Sequence, residues 1–357
     1  MASVSPATAL GQEAAPAKPQ FLANIHNFRT VAIVGIVGAH SLHNFDFDKS
    51  SLLFRIVDTI CNQSSVWFFF IAGLLFQHLS VKFSYLKYLK SKFKNVILPY
   101  LVLSIPALIA SFTIVDQNMP PSFYGFDLPV QVLLLLVTGK HLAPFWFVPT
   151  ITLIYLIGGV LLWADRKTWP YLLLPLVVTY SMFAGRDGFL IYTGLSGYFG
   201  QFSKALYLFS AYFLGMACGR YHDQVIAALA RYHWPLLAFS AAMFVANVMI
   251  EKSEIQYLYL FKISSAVLLV YYLSVVGKKT LGELGYVGTV SFGIFFVHGY
   301  LLQAVKLGRD YFVGSPLIDG NLIGYLAFVA AITAASVALL YVAKAVLGDK
   351  SRMVVGA

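Results

Sequence analysis

Residues 27–44, NFRTVAIVGIVGAHSLHN, form an apolar run with a cation near its start and two histidines near its end. Arg29 and His40 are eleven residues apart, which on an α-helix corresponds to about 16 Å of rise and only about 20° of rotation. Both side chains are therefore expected on one helix face, with His43 about 40° away from the same line. This polar stripe on a membrane helix predicts a functional site.

Ionisable side chains are costly at these positions. An arginine inside hydrocarbon costs at least about 2.5 kcal/mol on insertion scales, although Arg29, at the start of a span, can also extend to the headgroups. His40 lies past the midpoint, where an imidazole needs a partner or a water-filled cavity, and it can exchange a proton near neutral pH. Gly35 and Gly38 fall on the opposite helix face, where small residues let another helix approach closely.

The composition of the whole chain is that of an integral membrane protein. Its 357 residues are 59% hydrophobic and 11% charged, whereas soluble domains are about 25% charged. The net charge of +10 fits lysine-rich cytoplasmic loops beside anionic lipid, so membrane lipids rather than nucleic acid are the expected partners. Two cysteines in apolar surroundings argue against a disulfide framework, and no metal site is predicted.

We expect an all-α polytopic bundle of about ten transmembrane helices with both termini in the cytoplasm. A span needs about 20 mostly apolar residues, and this topology places most basic residues inside. The candidate spans are 28–45, 55–79, 95–115, 143–163, 170–185, 204–219, 234–250, 257–276, 287–305 and 321–347. The shorter apolar segment 128–138 is interpreted as an interfacial or re-entrant helix, since counting it as a span would place later basic loops outside.

The expected domain organisation has three parts. Residues 1–20 lack the apolar core of a signal peptide and predict a disordered cytoplasmic tail. Residues 21–347 form one membrane domain, and residues 348–357 a short cytoplasmic tail.

The second span offers polar partners for the histidines. Asp58, Asn62 and Ser65 have the i, i+4, i+7 spacing of one helix face. A carboxylate beside His40 would orient the imidazole and raise its basicity, whereas a carboxylate at the interface with water would have no such role. The sequence leaves both interpretations of Asp58 open.

Residues 81–95, VKFSYLKYLKSKFKN, alternate lysines with aromatic side chains. One interpretation is an amphipathic interfacial helix held by anionic lipid. The other is a cytoplasmic cradle for a phosphorylated donor, in which Lys90, Lys92 and Lys94 contact phosphate as mobile point charges.

Three other segments carry candidate binding residues. His141 and Trp146 belong to GKHLAPFWFVP and are interpreted either as interfacial belt residues or as part of a sugar-binding face. The loop over 186–204 either shapes an acceptor groove or only connects two spans. His298 and Ser291, seven residues apart in SFGIFFVH, form a second polar stripe.

Five motifs in order resemble the acyltransferase-3 family of membrane-bound O-acyltransferases. Arg29 to His40 match the family's R-x10-H pattern, and FFFIAGLLF at 68–76 is similar to its FFFISGFLF. KFKNVILPY at 92–100 resembles its basic segment that runs into a proline. FWFVP at 145–149 is similar to its WFLP, and SFGIFFVH at 291–298 resembles its SYGIYLxH. Ala72 stands where the second motif usually has serine, and Asn95 stands where an Arg-x-x-Arg pair usually ends. No SGNH hydrolase-like domain is visible, so a stand-alone member is expected.

The resemblance implies transfer of an acyl group, usually acetyl, from cytoplasmic acyl-CoA to a sugar hydroxyl of an envelope or exported polysaccharide. The expected location is the bacterial cytoplasmic (inner) membrane. The expected partners are acyl-CoA, used as a co-substrate and not as a bound cofactor, and a glycan or lipid-linked glycan. On this interpretation His40 acts as base or forms a transient acyl-imidazole, Arg29 holds the donor or stabilises charge on the thioester carbonyl, and Asp58 orients His40. The residues expected to bind the acceptor are His43, Asn62, His141, Trp146 and His298.

Two other functions stay open on sequence alone. A transporter or flippase for a lipid-linked glycan would use the same polar stripes as a pathway, with His40 as a proton relay. A non-catalytic scaffold of a glycan-assembly complex would use them only to pack helices. The sequence contains no GxSxG, HExxH, Walker A or dinucleotide fingerprint, which argues against the enzyme classes that those motifs mark.

Overall fold

The computed structural model describes residues 19–80, 83–115, 119–186, 188, 196–276 and 284–357. The predicted tail over residues 1–20 lies outside the described residues except for its last two. Residues 187 and 189–195 of the loop over 186–204 also lie outside them. The helices are α1 Pro19–Ser41, α2 Leu52–Cys61, α3 Ser65–Leu79, α4 Tyr85–Lys92, α5 Leu98–Thr113, α6 Leu128–Thr138, α7 Phe147–Leu156, α8 Gly158–Lys167, α9 Leu174–Ala184, α10 Ser196–Arg220, α11 His222–Met249, α12 Tyr257–Val276, α13 Leu284–Thr289, α14 Ser291–Val313, α15 Leu322–Leu347 and α16 Ser351–Val354.

The protein is an all-α membrane bundle. Four helical stretches of the described chain are long and apolar enough to cross a membrane, namely Leu52–Leu79, Tyr85–Thr113, Tyr257–Val275 and Leu322–Val354. The pair Leu128–Thr138 and Ala143–Leu156, bent by 74°, adds a fifth if it is one span. This establishes a multi-pass architecture, while ten spans and cytoplasmic termini stay predictions.

Helix α1 lies at the centre of the bundle and packs against α2, α3, α12, α13, α14 and α15. Its small-residue face makes the close contacts that the sequence predicts. A side chain on Gly35 would overlap the hydroxyl of Ser64, and a Cβ on Gly38 would lie 2.8 Å from the sulfur of Cys61. Two short parallel strands, β1 Phe45–Asp46 and β2 Ile318–Asp319, then join the end of α1 to the start of α15.

Helices α3 and α10 pack backbone against backbone. A side chain on Gly73 of α3 would overlap the carbonyl oxygen of Tyr212, and one on Gly215 of α10 would overlap that of Phe70. The two glycines thus permit a contact in which each helix surface meets the other's main chain, as small residues do between membrane helices. Gly73 belongs to the FFFIAGLLF motif, and this contact is a structural reason for a glycine there.

The second predicted span is interrupted in the middle. Helix α2 ends at Cys61 and α3 begins at Ser65, and Gln63 between them has a positive φ of 55°. A non-glycine residue in this left-handed region is uncommon and stores strain, which is typical of functional sites. The interruption, called the α2–α3 break below, comprises residues 62–64.

The segment 128–138 forms α6 and turns sharply into α7. The turn begins at Gly139, whose φ of 66° is readily adopted only by glycine. A Cβ at this position would also lie 2.5 Å from the backbone nitrogen of Trp146. The bend therefore brings Trp146 back toward the end of α6 and aims the start of α7 into the bundle.

Candidate active site

A cavity of about 500 Å³ lies beside the C-terminal end of α1. We call it the histidine cavity. The predicted site residues that line it are His40, His43, Asp58, Asn62 and Trp146. Ser65 lines it too, so the polar stripe of the second span does face one space, although the helix that carries it is interrupted. Further charged side chains in the wall are those of Asp46, Lys49 and Arg186.

His40 and His298 lie together although they come from different helices. Their ring centroids are 5.4 Å apart, with the planes inclined by 44°. His298 is fully buried, and its Nδ1 lies 2.9 Å from the carbonyl oxygen of Ile294. Because a carbonyl only accepts, Nδ1 donates and the neutral ring keeps its lone pair on Nε2. That Nε2 is buried and has no hydrogen-bond partner among the described residues.

Asp58 shares the cavity with His40, but its described contacts lead elsewhere. Its Oδ2 accepts a long hydrogen bond of 3.5 Å from the Asn62 amide, and its charge interacts with His43 and Lys262. The described contacts include no hydrogen bond between Asp58 and His40. The role of Asp58 as the orienting carboxylate therefore stays a prediction, whereas the described contact of His40 is with His298.

The structure does not bring His141 to the cavity. Its side chain is buried, with Nδ1 3.0 Å from the carbonyl oxygen of Leu135 and Nε2 2.8 Å from the hydroxyl of Ser104. Both ring nitrogens are thus occupied in tying the end of α6 to α5. His141 therefore lies outside the cavity lining, and its role in binding the acceptor stays a prediction.

Trp146 lies in the cavity wall beneath two cations. The guanidinium of Arg186 is 4.8 Å from the ring centroid, and the ammonium of Lys204 is 5.3 Å from it. Such cation–π contacts hold the cations over the negative face of the indole. A sugar that stacks on Trp146 would therefore share the ring with these cations.

A buried lysine that sequence reasoning missed organises the α2–α3 break. Lys262 of α12 is fully buried, and its ammonium donates to the carbonyl oxygen of Ile60 at 2.6 Å and to the Ser64 hydroxyl at 3.3 Å. It also lies 4.0 Å from the ring centroid of Trp67. The end of a helix leaves carbonyls unpaired and carries partial negative charge, so a cation is well suited to it. The sequence feature that could have identified Lys262 is a lone lysine inside an apolar span.

Replacing Lys262 with methionine is expected to destabilise the protein by about 1.5–3 kcal/mol, the usual worth of a hydrogen bond to a charged group. Methionine keeps the length of the side chain but leaves the Ile60 carbonyl without a donor. The measurement is the apparent melting temperature of the purified protein in detergent. Lys252→Met is the matched control, because Lys252 is exposed and the same charge is lost. Equal melting temperatures for both variants would refute the stabilising role.

A second cluster of predicted residues lies at the other end of α1. The ammonium of Lys92 is 4.6 Å from the ring centroid of Tyr155 and 5.3 Å from that of Tyr88. Arg29 and Arg352 interact electrostatically with Lys92 and with each other. We call Arg29, Lys92 and Arg352 the basic cluster.

The three lysines predicted to bind the donor differ in their surroundings. Lys90 and Lys94 are exposed, whereas Lys92 is partly buried against the two tyrosines. Asn95, the departure from the Arg-x-x-Arg pattern, donates its amide to the carbonyl oxygen of Ser91 at 2.9 Å. Of the three predicted lysines, Lys92 is the one that the structure brings to Arg29.

Comparison with protein families gives a match over almost the whole chain. The model of the acyltransferase-3 family, described as an acyltransferase domain, matches residues 22–343. The chain belongs to the acyltransferase-3 family. No curated protein and no solved structure gives a significant match.

The two fixed residues of the R-x10-H pattern lie at opposite ends of α1 in this acyltransferase. Arg29 is part of the basic cluster, and His40 lines the histidine cavity. Helical rise separates them by about 16 Å, so they cannot contact one reacting carbonyl. Helix α1 therefore has a cationic end at Arg29 and a histidine end at His40.

Proposed function

We propose that this acyltransferase moves an acetyl group from cytoplasmic acyl-CoA to a sugar hydroxyl of an envelope or exported polysaccharide. The observation that carries the proposal is that one central helix joins a cationic cluster to a cavity lined by His40, whose ring lies beside that of the buried His298. An acyl-CoA molecule has matching ends, a polyanionic nucleotide and a reactive thioester joined by an extended arm. Arg29 would therefore bind the nucleotide end and His40 would act at the thioester.

The proposed location is the bacterial inner membrane, with about ten spans and both termini in the cytoplasm. In this topology the basic cluster faces the cytoplasm, where acyl-CoA is available, and the histidine cavity faces the outer half of the membrane. The excess of basic residues in the inside loops supports this orientation. Residues 21–347 would form the catalytic membrane domain.

At the donor end, Arg29 and Lys92 would contact phosphate. Neither side chain has a hydrogen bond or ion pair to a described residue. Two cations without a carboxylate partner are suited to a ligand that brings its own negative charge. Charge-assisted hydrogen bonds to phosphate are roughly twice as strong as neutral ones, and arginine offers a planar fork for two phosphate oxygens.

At the histidine end, His40 would remove the proton of the sugar hydroxyl as its oxygen attacks the thioester carbonyl carbon. The bond between carbon and sulfur then breaks, and the leaving sulfur takes the proton back from the imidazolium. In the covalent variant, a ring nitrogen of His40 attacks the thioester carbon and the carbon–sulfur bond breaks, which releases the CoA thiolate and leaves an acyl-imidazole. The sugar hydroxyl then attacks the acyl carbon, the bond to His40 breaks, and the hydroxyl proton ends on the thiolate. Both routes need His40 in the cavity and end with an ester and free CoA.

His298 would position His40 during this cycle. Its buried Nε2 lone pair is unpaired among the described residues and the ring lies beside that of His40, so it can accept a hydrogen bond from the His40 ring or from a bound hydroxyl. This is the base-plus-orienter arrangement with an imidazole in the place of a carboxylate. The remaining residues proposed to contact the acceptor are His43, Asn62 and Trp146.

The proposal is tested on the polysaccharide of cells that carry or lack this protein. We expect acetyl signals in the NMR spectrum of the purified envelope or secreted glycan only when the protein is present. Normal export without acetyl signals would exclude acetyl transfer, and succinyl signals would be examined next. Loss of export itself would favour a transporter for a lipid-linked glycan.

A further inference from the structure

The segment that follows α15 packs onto the donor end of the bundle. A turn over Gly348–Lys350 leads into α16, which packs against α5 and against the π-helical turn Phe93–Ile97. That turn begins directly after Lys92 and is an irregularity often found at functional sites.

The residues beyond α16 are also held in place. The hydroxyl of Ser351 donates to the carbonyl oxygen of Ala357 at 2.7 Å, which closes the segment into a loop. A Cβ on Gly356 would lie 3.1 Å from the ring of Phe292, and a Cβ on Gly293 would lie 3.0 Å from the Cβ of Ala357. The segment 351–357 is therefore part of the packed surface around the start of α14.

Three like charges converge beneath this segment. Arg29 comes from α1, Lys92 from α4 and Arg352 from α16, and each interacts electrostatically with the other two. None of their three side chains forms a hydrogen bond or an ion pair with a residue that the structure describes. Like charges repel one another, and a bound polyanion would offset that repulsion because it attracts all three cations.

Aromatic rings and an exposed cation border the basic cluster. Tyr88 and Tyr155 flank the ammonium of Lys92 with their rings, and Arg352 is exposed at the edge of the cluster. A ligand that enters from the aqueous side would therefore meet Arg352 before it reaches Lys92 and Arg29. Arg352 is placed to contact the most exposed phosphate.

We propose that residues 351–357 form a wall of the donor site and that Arg352 binds the phosphates of the nucleotide end of the acyl donor. This inference rests on the proposed function, because it assigns a further residue to the same donor. It adds a third cation, from a segment 323 positions after Arg29, to a site for which the sequence indicated only the first span and the lysine-rich helix.

The test compares two donors and two variants in membranes that contain the full chain. Acetyl-CoA carries the phosphates, and acetyl-pantetheine carries the same thioester and arm without them. We expect Arg352→Gln to raise the KM for acetyl-CoA about tenfold, the effect of losing one charge-assisted contact, with kcat nearly unchanged. The KM for acetyl-pantetheine should not change. Lys350→Gln, which removes an exposed charge two positions away, should leave both values unchanged.

Calorimetric titration of the purified protein with CoA separates failure of this inference from failure of the proposed function. Weaker CoA binding by Arg352→Gln than by the wild type would support the phosphate contact even if no transfer were detected, and transfer would then be the part refuted. Equal CoA binding by the two proteins, or an equal rise in KM for both donors, would overturn the assignment of Arg352. No binding of CoA to the wild type would refute both.

Discussion

Replacing His40 with alanine is expected to lower acyl transfer at least about 100-fold while the protein still folds and inserts. General base catalysis by a positioned histidine contributes about 10²–10⁴-fold, and a covalent route through an acyl-imidazole would lose at least as much. The side chain of His40 is only partly buried and borders the cavity, so its removal enlarges an existing space and does not open the packed core.

The measurement is transfer of labelled acetyl from acetyl-CoA to glycan in membranes with equal amounts of each protein. His233→Ala is the matched control. His233 also lies on a long helix, α11, and its Nδ1 is 2.9 Å from the carbonyl oxygen of Leu229, but it packs on Tyr271 and does not line the cavity. We expect near wild-type transfer from this control. Full activity of His40→Ala would show that the histidine neither takes the proton nor carries the acyl group.

Placing a methyl group on Gly73 or Gly215 is expected to cost about 3 kcal/mol or more and to reduce the amount of folded protein. Overpacking a tight core usually costs about 1–3 kcal/mol. Here, however, the added Cβ would overlap a main-chain carbonyl oxygen on the neighbouring helix and not a flexible side chain. Relief requires α3 and α10 to move apart, and membrane helices depend on close packing because lipid supplies no hydrophobic drive between them.

The measurement is the yield of monodisperse protein in detergent and its apparent melting temperature for Gly73→Ala and Gly215→Ala. Gly200→Ala is the control on the same helix as Gly215, since a Cβ there would have no heavy atom within 4 Å. Alanine also favours the helix over glycine by up to about 1 kcal/mol, so this control should be neutral or slightly stabilising. If all three variants behave alike, the contact between α3 and α10 is looser than the structure indicates.

Sequence periodicity located the central helix because the relation between Arg29 and His40 depends only on the geometry of one helix. The same reasoning predicted that Gly35 and Gly38 face a close neighbour, and they contact Ser64 and Cys61. The all-α membrane class followed from composition and was confirmed. Helix geometry was therefore sufficient to predict the features that depend on a single regular helix.

Features that depend on two distant segments could not be predicted. His298 lies beside His40 because of the way α1 and α14 pack against each other. Residue spacing within either helix does not specify that packing. The α2–α3 break needs the positive φ of Gln63 and a donor from Lys262 on another helix. An apolar run alone predicts an uninterrupted span, because the compensation for the missing helical hydrogen bonds comes from elsewhere in the chain.

The wide sequence separation of these contacts determines when each of them can form during synthesis. The Ile60 carbonyl oxygen accepts its hydrogen bond from Lys262, which is 202 positions later in the chain. The Asn44 amide donates to the carbonyl oxygen of Leu302, which is 258 positions later. During synthesis, the first three helices are therefore in the membrane long before their partners leave the ribosome. A nascent chain that ends before Ser291 contains His40 but not His298, so the histidine pair can form only after α14 has been added, late in synthesis.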